Sequence, residues 1–210
     1  MKSGRVLFLG LMLIGLVACQ RNPASKSEVN AMSHPHAASF VTLGPSLQSL
    51  KDDFNAHADS VRLVYIVGPT CPECLHGMDA LGKALRTQQD DPRVRTYVVY
   101  VPALGATAKD IQPTVGLIPG SYVNRYWDPH GATGNDFNEV LGIHQFAWDV
   151  YMIYKPGQLW NAGLPPKPRF WMDQLSGLPG NRHLNADVFA RHVKDALMPT
   201  ATGPSSRHGF

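Results

Sequence analysis

Cys71 and Cys74 stand two residues apart in the segment Gly68-Pro69-Thr70-Cys71-Pro72-Glu73-Cys74. An apolar run over residues 61–67 precedes them, and Leu75, Met78, Leu81 and Leu85 follow at helical spacing. The pattern reads as strand, tight turn, paired thiols and helix. Two cysteines at this spacing on a helix start lie within bridging distance and can close a disulfide with little backbone movement. The partial positive charge of a helix N-terminus favours a thiolate on the first of them. Pro72 falls in the first helical turn, where its missing N–H costs nothing. Three chemistries suit such a pair: thiol–disulfide exchange, soft-metal binding, or a structural staple. Glu73 and His76 are the nearest titratable side chains in sequence. Asp149 is an acid in an otherwise apolar run, which is costly unless the carboxyl is paired or functional.

The flanking sequence supplies the elements that would position the pair. Leu47, Leu50, Phe54 and Ala58 share one helical face behind Ser46, a candidate N-cap. Residues 61–67 are too apolar for a half-exposed strand and read as a buried central one. The helix after the thiols ends by Asp90-Asp91-Pro92, and residues 95–101 form a second buried strand. Two such strands joined by a helix make a right-handed βαβ unit with a parallel pair. Residues 109–115 carry a helical turn or two, and residues 122–127 are a short strand. Phe137, Val140 and Leu141 suggest a helix ending at Gly142. Residues 148–154 are a third apolar strand, with Lys155-Pro156-Gly157 turning it back into an antiparallel return over 158–161. The aromatic segment 170–175 reads as a loop plugged into the core, and Asn185 caps a last helix that Pro199 stops.

The ends have a different character. Lys2 and Arg5 precede an apolar run over residues 6–17, too short for a comfortable membrane span, which marks a targeting signal. It ends in Leu16-Val17-Ala18-Cys19, which resembles the lipobox of bacterial lipoproteins. The resemblance implies a signal over residues 1–18, lipidation of Cys19, and a domain facing the periplasm or cell exterior, where disulfides persist. Gln20 after the cysteine leans towards the outer membrane by the same resemblance. Residues 19–39 read as a flexible tether, 40–198 as one domain, and 199–210 as a disordered tail. His34 and His36 in the tether are polar filler. Taking Lys2 and Arg5 from the 19 basic residues leaves 17 against 16 acids, so no basic stripe for nucleic acid exists.

The element order and two patches resemble the thioredoxin superfamily, in particular its redoxin and envelope thiol–disulfide branch. The first patch is residues 63–74; the second joins Trp127-Asp128-Pro129-His130-Gly131, Leu141-Gly142-Ile143 and residues 151–157. The resemblance implies an α/β thioredoxin-like fold: a central mixed β-sheet flanked by helices, with the CxxC heading the helix after a central strand. It implies that Cys71 is the exposed nucleophile, that Cys74 resolves, and that the two form a disulfide when oxidised. Its partners would be protein thiols or disulfides of the envelope, engaged by a monomer with no cofactor. Two departures are present. No proline stands around Ala147-Trp148-Asp149, where the superfamily places a cis-proline facing the disulfide. Tyr65 occupies the position of the superfamily's buried acid. Proton transfer to or from Cys74 therefore needs another group: Glu73 and His76 are the nearest candidates in sequence, and Asp149, placed opposite the CxxC by this fold, is expected close to Cys71. Glu73 between the thiols disfavours a thiolate by like charge, so the pair is expected to be more reducing than one with a histidine there.

The stretch from Val67 to Cys74 also resembles the thiol loop of heavy-metal-associated domains. That resemblance implies copper, mercury or another soft ion held by Cys71 and Cys74, with His76, His130 or His144 as a third ligand. A staple is the remaining alternative, although so short a loop constrains the unfolded chain little. A peroxidase is disfavoured, since Thr70 is adjacent to Cys71 rather than a few residues before it.

Overall fold

The computed structural model describes residues 39–161 and 163–198. The signal, the tether up to residue 38, Cys19, Gln20, His34, His36 and the tail from residue 199 lie outside the described residues.

Six strands form one sheet: β1 (Val41–Thr42), β2 (Val61–Val67), β3 (Val94–Tyr100), β4 (Val123–Trp127), β5 (Val150–Tyr154) and β6 (Phe170–Asp173). Their order is β1-β4-β3-β2-β5-β6. The first four in that order run parallel, β5 is antiparallel to β2, and β6 is antiparallel to β5. Every residue of β2 is buried because helices cover both faces. Leu63, Tyr65 and Val67 point into one core layer under α2 (Pro72–Ala84) and α4 (Ala186–Leu197). Val64 and Ile66 point into the other, under α1 (Gln48–Ala56) and α3 (Ala132–Leu141). That split follows from the two-residue period of a strand.

Side chains fix the joints between layers. Arg62 is fully buried on β2. Its guanidinium donates to the carbonyls of Phe54 (3.2 Å), Gln158 (2.7 Å) and Lys155 (2.7 Å), tying the end of α1 and the turn after β5 to the central strand. Asp128, in the Asp-Pro-His-Gly turn, accepts from the backbone N–H (2.8 Å) and hydroxyl (2.7 Å) of Thr133, which seals the start of α3. Asn185 caps α4, as its position predicts, by accepting from the Val188 N–H.

The structure differs from the sequence reading at several places. Residues 158–161 do not return along β5. Asn55 of α1 bonds both the N–H (2.8 Å) and the C=O (2.9 Å) of Trp160, so this segment's backbone pairs with a side chain instead of a strand. The strand that pairs antiparallel with the outer side of β5 is β6, in the segment read as an aromatic plug; Trp171 and Met172 are buried, but as strand residues. Ser46 does not cap α1; Leu47, with φ 55°, stands at that position after a turn from Gly44. The helix after the thiols stops at Ala84, and turns carry the chain to Pro92. β5 starts at Val150, two residues later than its apolar run, because Asp149 adopts φ 52°.

Candidate functional site: a buried dithiol beside a carboxyl

Cys71 is the N-cap of α2. Its Sγ accepts the N–H of Cys74 at 3.2 Å, and the Cys74 Sγ in turn accepts the N–H of Gly68 at 3.4 Å. One first-turn N–H of α2, that of Cys74, which has no helical partner, thus faces sulfur. Both cysteines are free thiols. Cys74 is fully buried, and Cys71 is only 3% exposed. The sequence reading places Cys71 on an exposed edge; instead Trp148 and Ala103 crowd the Gly68 turn beside it. Its access is a cleft of about 370 Å³ lined by Cys71, Glu73, Trp148, Asp149, Gln174 and Leu175, among others.

Asp149 lies beside the pair. Its carboxylate and the sulfurs of Cys71 and Cys74 fall within 4.8 Å of one another. The left-handed backbone at Asp149 costs less for aspartate than for most residues. The hydroxyl of Tyr151 donates to Asp149 Oδ1 at 2.7 Å. The Gln174 amide faces two acceptors; with its nitrogen turned towards them it donates to Asp149 Oδ1 at 3.2 Å and to the Glu73 carbonyl at 3.1 Å. Burial pushes the Asp149 carboxyl above the usual carboxylate range, against the opposing pull of Tyr151 and Cys74. Burial, and then the neighbouring Asp149, push the Cys74 thiol far up.

The other sequence candidates separate. Glu73 is exposed, with Oε2 4.0 Å from Cys71 Sγ. His76 is exposed on α2 and borders a different cleft, of about 460 Å³, with Pro69, Leu75 and Leu117. Among the described residues, the group that could hold a metal ion through Cys71 and Cys74 has Asp149 as its third member, not His76, His130 or His144. His192 stacks on Phe170 at 3.7 Å, an ordinary packing role. Tyr65, at the position of the missing acid, is fully buried with no partner for its hydroxyl, its ring against Tyr151 and Phe189.

Tyr151 and Gln174 fall in segments named in the sequence reading, but neither is given a site role there. Tyr151 stands two positions from Asp149 in the chain, a signal that was available. Gln174 follows a strand that was read as a loop, so nothing pointed to it.

A central parallel pair, an antiparallel hairpin beside it and a CxxC heading the helix that leaves the central strand define the architecture. The fold is thioredoxin-like. Solved structures with similar folds include a secreted Mycobacterium tuberculosis disulfide oxidoreductase homologous to E. coli DsbE, 11% identical, covering 65% of this chain and 82% of its own, TM-score 0.39. A SCO1/SenC family lipoprotein from Bacillus anthracis str. Ames is 11% identical over 67% of this chain and 83% of its own, TM-score 0.42. A yeast mitochondrial 1-Cys peroxiredoxin is 14% identical over 69% of this chain and 66% of its own, TM-score 0.44. No family model and no curated protein sequence matches the chain.

Proposed function

We propose that this chain is an envelope thiol–disulfide oxidoreductase, anchored by lipid on Cys19 and working through Cys71 and Cys74. The observation that carries this reading is the buried Cys74 thiol beside the buried Asp149 carboxyl, with Cys71 on the cleft that a partner disulfide can enter. The N–H of Cys74 and the start of α2 stabilise negative charge on the Cys71 sulfur. The Cys71 thiolate attacks a partner disulfide, forms a mixed disulfide and releases the first partner thiol. Cys74 then attacks Cys71, the second partner thiol leaves, and the pair ends as the Cys71–Cys74 disulfide. Cys74 is a poor nucleophile while its thiol is protonated, and Asp149 is the base within reach. Glu73 borders the entry as an exposed charge. The exchange needs no cofactor and no nucleic acid; its partners are protein thiols or disulfides of the envelope, met by a monomer. Gln20 favours the outer membrane.

The test is trapping. Cys74→Ala expressed with its native signal should accumulate mixed disulfides through Cys71, and insulin-disulfide reduction should vanish in Cys71→Ser. A variant with serine at both positions that retains full activity overturns the proposal and leaves the cysteines a staple.

The donor set supports a second reading. Two thiolates with Asp149 suit a soft ion such as Cu(I) or Hg(II), the carboxylate being the harder third ligand. Titrating the reduced protein with Cu(I) while scoring free thiols separates the two: protection of both thiols at one ion per chain favours binding.

A further inference from the structure

Asp149 is not merely near the thiols; it is clamped. Its main-chain carbonyl accepts the N–H of Gln174 at 3.0 Å, so the residue is held by backbone as well as by side chain. Tyr151 and Gln174 both donate to the same carboxyl oxygen, Oδ1. A carboxylate oxygen has two lone-pair directions, and these two donors take both. A proton arriving on Asp149 must therefore sit on Oδ2.

We infer that Tyr151 and Gln174 are positioning residues for the resolving step: they hold Asp149 by Oδ1 and leave Oδ2 as the oxygen that receives the Cys74 proton. The inference rests on the thiol–disulfide reading above. The Tyr151 ring is itself fixed, fully buried with Tyr65 at a centroid distance of 5.3 Å. Gln174 also bonds the Glu73 carbonyl, so one amide spans the acid and the helix start that carries both cysteines. Gly77 completes the arrangement. A Cβ there would collide with the Gln174 amide and the Tyr151 hydroxyl, so a glycine on α2 is what admits both groups against the helix. The titratable groups that face Asp149 are Cys71 at the N-cap of α2, Cys74 and Glu73 from its first turn, Tyr151 from β5 and Asp173 from β6.

In the step concerned, the Cys74 sulfur forms a bond to the Cys71 sulfur as the bond from Cys71 to the partner sulfur breaks. The partner sulfur leaves with that electron pair as a thiolate. The Cys74 proton passes to Asp149 Oδ2 and from there, through the cleft, to the departing sulfur. The cysteine pair loses two electrons and the partner disulfide gains them.

An aromatic disulfide with a coloured leaving thiol, 5,5′-dithiobis(2-nitrobenzoate), reads the two steps apart when mixed with the reduced full chain in stopped flow. Attack by Cys71 releases the first equivalent of colour, and resolution by Cys74 releases the second. Tyr151→Phe and Gln174→Ala should each leave the first release within about twofold of wild type and slow the second about tenfold, as expected for a lost hydrogen bond to a charged group. In an Asp149→Asn background the same substitutions should change the second release less than about twofold, because there is no carboxylate left to position. Equal slowing of both releases, or the same slowing with and without Asp149, overturns the inference while leaving the exchange reading intact. Failure of the wild-type protein to give two releases overturns the exchange reading itself. Either variant alone carries the test if the other does not fold.

Discussion

A carboxyl sealed against two thiols has to be protonated or compensated; Asp149 accepts from the Tyr151 hydroxyl, while burial works against its charged form. Its folded pKa is raised by burial, whereas in the unfolded chain the ordinary value of about 3.9 applies. A raised acid contributes stability that is fully present below the unfolded pKa and is lost as pH rises through the folded one. Asparagine carries no such dependence. The difference in melting temperature between wild type and Asp149→Asn should therefore move in favour of the variant as pH climbs from about 4 to neutrality. Thermal melts across that range check it, and a constant difference would mean that the carboxyl is not held in the unfavourable form. Much of this site was legible at the residue scale. The CxxC named itself by spacing, and Asp149 by being an acid among apolar neighbours. Tyr151 was not read as polar machinery because a tyrosine in an apolar run looks like core, which Tyr65 and Tyr154 are. The closure over Cys71 was not legible either, since it depends on where Trp148 comes to lie.

Among the elements, α2 was the easiest to read, and it sits close against its neighbours. Its stripe of Met78, Leu81 and Leu85 packs into the core as the spacing predicts. What the spacing does not show is that two glycines let it approach its neighbours. At Gly82 an added Cβ would fall on the main-chain oxygen of Leu117, which cannot swing away. At Gly77 the obstacles are the Gln174 and Tyr151 side-chain ends. Alanine gains about 1 kcal/mol over glycine within a helix. Even so, Gly82→Ala should destabilise the protein by about 1–3 kcal/mol, as overpacking does, and by more than Gly77→Ala. Urea unfolding of both variants measures the order, and a stabilised Gly82→Ala would mean that the segment around Leu117 yields. The misread return strand teaches the same lesson. Residues 158–161 follow a turn and have strand-like composition, but Asn55, 105 residues before Trp160, claims their hydrogen bonds. No local pattern carries a contact of that range.

For the molecule as a whole, the α/β layering was legible because strands buried on both faces leave long apolar runs, and a helix between two such runs permits few topologies. The role of the chain's beginning rests on resemblance alone, and it has a direct check. Cys19→Ser should abolish acyl labelling and move the protein from the membrane fraction to the soluble one, since acyl chains supply the anchoring. The purified variant should still give both releases from the aromatic disulfide at wild-type rates. Retention in the membrane fraction would point to an uncleaved signal instead.

The sheet's margins matter for the work proposed here. One margin is β1, two residues long, and the other is β6, four residues long and preceded by Pro165, Pro166 and Pro168. Prolines lack the N–H that a visiting strand would need, and short borders give it little to register against. In the proposed exchange, a client with an unpaired, sticky backbone would find a cysteine to react with and little ladder to join. Once its sulfur is displaced from Cys71, little main-chain pairing detains it, and turnover is spared the slow peeling apart of strands.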